Sequence, residues 1–176
     1  YHAGQVCVSV QRVYAHHTLA RDLAEQLAAA ADKLVVGDAT LENTEVGPLI
    51  VPGEVDRVEQ WVEEAVAAGA ELITGGKRLS NTTYAPTVLF NPPNDAKVSS
   101  MEVFGPVVCV YSYTDRQKAI DLANGLDVAF QAAVYSKDLD VAMDTVKRLD
   151  ATAVMVNDHT AFRVDWMPFG GRRSSG

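Results

Sequence analysis

The first residues able to do chemistry lie within a dozen of the start: Gly4-Gln5-Val6-Cys7, followed by Val8-Ser9-Val10-Gln11-Arg12. Gly4 permits a backbone that a residue with a Cβ adopts only at a cost, and such a turn can present a thiol at the mouth of a sheet. A cysteine between two valines also reads as a small buried hydrophobe. The second group is Met101-Glu102-Val103-Phe104-Gly105-Pro106. Residues two apart in extended backbone point the same way, so Glu102 and Phe104 could face one ligand. The ring would offer a flat surface and the carboxylate two acceptors for sugar hydroxyls. A solvated glutamate beside a core phenylalanine fits the same spacing. The third group, Asn157-Asp158-His159-Thr160-Ala161-Phe162-Arg163, follows a buried strand, where open α/β sheets form ligand crevices. It is either a polar loop or a substrate lining. The fourth, Met167-Pro168-Phe169-Gly170-Gly171 running on to Gly176, marks a tight turn.

These residues need a scaffold, and the periodicities supply one. Arg12–His16 reads as a strand, and Thr18 as the cap of a helix over about 19–33 with an apolar face of Leu19, Leu23, Leu27 and Ala30. Residues 36–50 carry loop chemistry. Pro52 suits a first helical turn, Val55, Val58, Val62, Ala65 and Val66 form a stripe, and Gly69 stops it. Glu71–Thr74, 82–90 and Val107–Tyr113 read as extended. Thr114 with Gln117 predicts a capping box for a helix to about residue 124. A strand over 130–135, a helix over 138–149 and a buried strand at Ala153–Val156 complete the chain. Helices alternating with short apolar strands predict one α/β domain with a largely parallel sheet and helices on both faces.

Composition narrows the partners. A formal net charge of −8 over 176 residues argues against a nucleic-acid or membrane-surface binder. No apolar run is long enough to span a bilayer. Two well-separated cysteines suit a reduced, cytoplasmic protein, and four scattered histidines make no metal constellation. Cys109, Trp61 and Trp166 read as packing residues. The chain opens at Tyr1 and closes at Gly176, both inside motifs, so the expectation is a fragment of a longer polypeptide.

Taken in order, Gly4-Gln5-Val6-Cys7 with Arg12, Glu102-Val103-Phe104-Gly105-Pro106-Val107, and Pro168-Phe169-Gly170-Gly171 with Arg173 and Ser175-Gly176 resemble the aldehyde dehydrogenase superfamily. Val46-Gly47-Pro48-Leu49-Ile50, the run ending Ala70 to Gly76, and Tyr84-Ala85-Pro86-Thr87 support the resemblance, which covers essentially the whole chain. It implies a three-layer αβα catalytic domain with a mostly parallel open sheet. It implies Cys7 as the nucleophile that forms a thiohemiacetal and then a thioester, splitting one hard oxidation into two easier steps. It implies Glu102 on the nicotinamide-side ribose, Phe104 against the nicotinamide, and the backbone N–H of Cys7 as one oxyanion donor.

By the same resemblance Asp158, His159, Thr160 and Phe162 match the loop at the substrate entrance. Arg163 either holds a substrate carboxylate or phosphate, or pairs structurally with Asp165. The cofactor implied is NAD or NADP, held mainly by a dinucleotide-binding domain expected upstream, together with the general-base glutamate and a second oxyanion donor. An assembly strand is expected downstream, with the full-length protein a homodimer or homotetramer. The fragment alone is expected to lack dehydrogenase turnover. The wording around Cys7 and residues 157–165 looks like branches acting on small hydroxy- or semialdehydes, such as lactaldehyde or succinate semialdehyde. Two alternatives stand beside this: a cofactor-independent thiol esterase or acyl transferase, and a non-catalytic interaction fragment.

Overall fold

The computed structural model describes residues 2–175. By its packing the chain divides into two compact units. One takes the residues up to Val6 with Val10–Thr114; the other takes Cys7–Ser9 with the residues from Asp115 on.

The first unit is built on a four-stranded sheet of β1 (Arg12–His16), β2 (Glu71–Thr74), β3 (Thr87–Phe90) and β4 (Val107–Tyr113), in the order β1-β4-β3-β2. β4 runs parallel to both β1 and β3, while β2 lies antiparallel on one edge. Side chains along a strand alternate between faces, and the packing follows that rule. Val88 and Val110 pack with Ala24 and Ala28 of α1 (His17–Ala31). Leu89, Cys109 and Tyr111 pack with Val55, Val58, Trp61 and Val62 of α2 (Pro52–Ala67). The sheet therefore has a helix on each face, which is the expected three-layer αβα arrangement. A four-residue helix, α3 (Lys97–Ser100), not anticipated from the sequence, lies between β3 and β4 in the chain.

Three helix details differ from expectation. α1 buries Ala20, Ala24 and Ala28, and leaves Leu19 63% exposed. The stripe of alanines, not leucines, faces the sheet because small side chains let a helix approach it closely. Its N-cap is His16, whose Nδ1 lies 2.8 Å from Thr18 Oγ1. α2 follows the predicted stripe except for Val66, which is exposed, and Gly69 takes a φ of +107° at the expected stop. The extended stretch over 82–90 narrows to β3, with only an isolated bridge between Arg78 and Tyr84 before it.

The second unit holds α4 (Arg116–Asn124), β5 (Val128–Ala129), β6 (Gln131–Val134), α5 (Leu139–Arg148), β7 (Ala153–Val156) and β8 (Arg172–Arg173). β6 and β7 pair in parallel, joined through α5, and β5 pairs antiparallel with β8. Both helices are capped by aspartate: Asp115 accepts from the Gln117 N–H, and Asp138 from the Val141 N–H. The first replaces the predicted Thr114 cap, since a carboxylate also complements the positive helix N-terminus. Arg116 and Arg148 share Asp144, while Arg172 and Arg173 share Asp150. Trp166, expected to pack, is 86% exposed. Tyr1 and Gly176, the latter ending the Ser175-Gly176 pair, lie outside the described residues. Among the described residues no helix is long and apolar enough to cross a membrane.

The core sets an alkaline limit. Burial pushes the Cys109 thiol up from 9.0 to about 12, and raises the Tyr84 and Tyr111 hydroxyls as well. The folded chain keeps protons that the unfolded chain releases above about pH 9, so stability is full below that pH and falls as pH rises through the folded values. The urea midpoint of unfolding should drop between about pH 8 and about pH 10.5, and a flat profile would contradict this account of the core.

Candidate active site

Cys7 sits in a turn, and its side chain is exposed. Cys109, the other free cysteine, is fully buried in β4, with Sγ 3.8 Å from the Val98 carbonyl oxygen. Exposure distinguishes a thiol that can meet a substrate from one that only packs. The turn is held from its own unit: Thr160, itself buried, donates its hydroxyl to the carbonyl of Val8 at 2.5 Å. Of the four residues expected at a substrate entrance, Thr160 is thus bonded to the carbonyl of Val8, the residue after Cys7. Asp158, His159 and Phe162 are exposed on the same loop.

Local bonds shape that loop. Asn157, with φ +55°, ties its start to the turn after β6: its Oδ1 accepts from the Ser136 N–H at 2.9 Å and its Nδ2 donates to the Ser136 carbonyl at 3.0 Å. Asp158 accepts from the His159 N–H at 2.7 Å. His159 Nδ1 accepts from the Ala161 N–H at 3.1 Å. That bond uses the Nδ1 lone pair, which puts the ring proton of the neutral tautomer on Nε2 and leaves no spare lone pair for a base. Arg163 makes no ion pair with Asp165 among the described residues. Its guanidinium lies over the Phe169 ring, 4.6 Å from the centroid, and its Nη1 donates to the Met167 carbonyl at 3.1 Å. Most of its five donors stay available to an anion.

Glu102 and Phe104 belong to the other unit. Both are exposed, flanking Val103, which is 1% exposed and anchored in the core. The predicted alternation holds, but the backbone is not simply extended: Phe104 has φ +48°. A left-handed aromatic outside glycine costs on the order of 1–2 kcal/mol, and such strain gathers at functional sites. The segment is gripped on all sides. Gly4, at φ +77°, packs so closely on Gly105 that a Cβ there would lie 2.0 Å from the Gly105 carbonyl oxygen. Gln5 donates to the Pro48 carbonyl and accepts from the Ile50 N–H, joining the Gly-Gln pair to the Gly47-Pro48-Leu49-Ile50 loop.

Two residues missed by sequence reasoning hold Val103 itself. Gln11 Oε1 accepts from the Val103 N–H at 2.8 Å, and its Nε2 donates to the carbonyls of Val98 at 2.8 Å and Met101 at 2.7 Å. Arg57 Nη2 donates to the Val103 carbonyl at 2.6 Å, with Glu54 and the Trp61 ring fixing the guanidinium. No spacing in the sequence announces such side-chain-to-backbone bonds.

The chain matches the aldehyde dehydrogenase family model over residues 1–176. It belongs to the aldehyde dehydrogenase family. A curated relative, the 3-sulfolactaldehyde dehydrogenase of Priestia aryabhattai, is 42% identical over 99% of this chain and 36% of its own length. Aldehyde dehydrogenase 21 from Physcomitrella patens, solved in complex with the reaction product succinate, superposes with a TM-score of 0.94 at 37% identity, covering 99% of this chain and 36% of that one. Glyceraldehyde-3-phosphate dehydrogenase from Methanocaldococcus jannaschii, complexed with NADP, gives a TM-score of 0.93 at 34% identity, covering 99% and 38%. The chain thus spans little more than a third of the length of such relatives. Members of the family bind NAD or NADP in solved structures.

The residues present fit such a dinucleotide. An exposed ring on a strained backbone and an exposed carboxylate two residues before it suit a flat, hydroxyl-rich ligand. Among the described residues no cluster of His, Cys, Asp or Glu could hold a metal ion.

The geometry gives two expected outcomes. Gly4→Ala forces a Cβ into the Gly105 carbonyl at a left-handed position, so it should lower stability by about 1–3 kcal/mol or more, read as a shift in urea midpoint. Thr160→Val keeps the shape but leaves the Val8 carbonyl without its donor, at a cost of about 1 kcal/mol. The Thr160→Val variant should also change the rate of Cys7 alkylation by iodoacetamide, whereas Thr160→Ser should not. Equal rates in both variants would show that the bond does not position the thiol.

Proposed function

We propose that this chain carries the nucleophile and the nicotinamide-side grip of an NAD(P)-dependent aldehyde dehydrogenase that converts a small anionic aldehyde to its carboxylate. The observation that carries the reading is the pair of thiols: one exposed in the family's Gly-Gln-Val-Cys turn, the other buried and held protonated.

Cys7 acts as the nucleophile, its thiol giving up a proton as the sulfur attacks. Its sulfur bonds to the aldehyde carbon, and the carbonyl oxygen becomes an oxyanion that the Cys7 backbone N–H is placed by family resemblance to receive. A nicotinamide dinucleotide, when bound, supplies the acceptor for the hydride that leaves this carbon. Cys7 then holds the acyl group as a thioester, and water attacks that carbon and releases the carboxylate with the thiol restored. With such a dinucleotide bound, Glu102 would hold ribose hydroxyls through its two acceptor oxygens, and Phe104 would orient the nicotinamide. Arg163, preplaced on Phe169, takes the anionic group of the substrate in a charge-assisted hydrogen bond. The names of three relatives support a small anionic substrate: sulfolactaldehyde, succinate and glyceraldehyde 3-phosphate all carry a sulfonate, carboxylate or phosphate.

The test uses the intact protein with succinate semialdehyde, glyceraldehyde 3-phosphate and an uncharged aldehyde, each with NAD and NADP. Reduced dinucleotide should form with the anionic aldehydes first. Cys7→Ser should lose at least about a thousandfold in turnover, while Cys109→Ala retains it. Arg163→Leu should raise KM for the anionic aldehydes alone. Turnover of p-nitrophenyl acetate with no reduced dinucleotide from any aldehyde would replace this reading with a thiol esterase.

A further inference from the structure

We infer that Gln11 and Arg57 are positioning residues for the dinucleotide, acting through the backbone of Val103; the inference rests on Glu102 and Phe104 contacting that cofactor. Three observations converge on one peptide segment. Val103 lies between the two ligand-facing residues, and both of its backbone polar groups are taken by side chains, its N–H by Gln11 and its carbonyl by Arg57. The same Gln11 amide also holds the Met101 carbonyl, so one side chain fixes the peptides on either side of Glu102. The next residue, Phe104, is left-handed, a conformation the chain would leave if its neighbours were released.

The anchors are themselves rigid. Gln11 spends both ends of its amide, since Nε2 reaches Val98 as well as Met101. Arg57 is pinned by Glu54 through Nε at 2.9 Å and Nη2 at 2.6 Å, and stacks on Trp61 with its guanidinium carbon 4.5 Å from the centroid. A planar fork held on three sides has little rotamer freedom left to lose, so it can hold a carbonyl in one place. With Gly4 against Gly105, the segment is fixed from both directions. A ligand grip of this kind gains affinity by preorganisation: Glu102 and Phe104 need not be ordered when the dinucleotide arrives.

The experiment measures two quantities on the intact protein: hydrogen exchange at the Val103 and Phe104 amides, and the Kd for NAD and NADP by titration. Gln11→Met and Arg57→Met should each speed exchange at these amides and weaken dinucleotide binding about tenfold. Cys7 alkylation should stay unchanged. Arg57→Lys, which keeps one donor for the carbonyl, should restore most of both. It also guards against misfolding of the methionine variant. Unchanged exchange in all three variants, or faster exchange with unchanged Kd, overturns the inference. Glu102→Gln and Phe104→Ala serve as controls, expected to weaken binding while leaving Val103 exchange as it was. If these controls bind dinucleotide normally, the cofactor reading itself fails, and the inference falls with it for a reason the exchange data keep separate.

Discussion

The position a side chain on residue 4 would occupy is already taken by the carbonyl of Gly105. That close approach of two backbones is the constraint from which the first unit's candidate site is assembled. It requires glycine at position 4, because any Cβ would collide and the φ of +77° is left-handed. It brings the start of the chain against the Phe104-Gly105-Pro106 turn, with Gln5 reaching the loop at Pro48 and Ile50. Three stretches far apart in sequence therefore meet through backbone packing and amide bonds. The Gly-Gln pair is structural, and the cysteine two residues after Gln5 inherits a defined entry into its turn.

The strands were legible because their signal is local. β1, β2, β4 and β7 match the sequence reading residue for residue, since β-branched and aromatic runs bounded by turn residues leave little choice. The helices were legible in length but not always in face. α1 offers a leucine stripe and an alanine stripe about 100° apart, and reading by hydrophobicity alone selects the leucines. What decides is distance: Ala24 and Ala28 let the helix sit low on Val88 and Val110, and Leu27 closes the edge. Tertiary fit overrode the stronger local signal.

For the candidate site, the residues proposed to touch a ligand are more legible in the sequence than those that hold them. Cys7, Glu102 and Phe104 stand out by type and by the company they keep. Gln11, Arg57 and the Thr160 hydroxyl act on backbone groups between 46 and 152 residues away. Such bonds have no period and no fixed spacing, and each of these side chains reads equally well as a polar residue facing water. Thr160 reads from its polar loop as a substrate lining; its burial and its bond to the Val8 carbonyl add a structural tie that the sequence does not announce.

Under the proposed function, the two units divide the work according to how much rigidity each part needs. A thiol nucleophile must be reachable and must change bonding partners, and Cys7, the residue proposed for that role, lies exposed in a turn held by one short bond from Thr160. A proposed dinucleotide grip gains from being immobile before its ligand arrives, and around Val103 the protein has a buried valine, a glutamine with both ends engaged, a stacked arginine and a glycine contact with no room to spare. The strain at Phe104, on the order of 1–2 kcal/mol, is affordable only with that many restraints. Remove the restraints and the least costly response is for Phe104 to relax toward an ordinary φ, turning its ring away from the direction the turn now gives it. Rigidity around Val103 is thus the condition under which an exposed aromatic can keep a left-handed backbone.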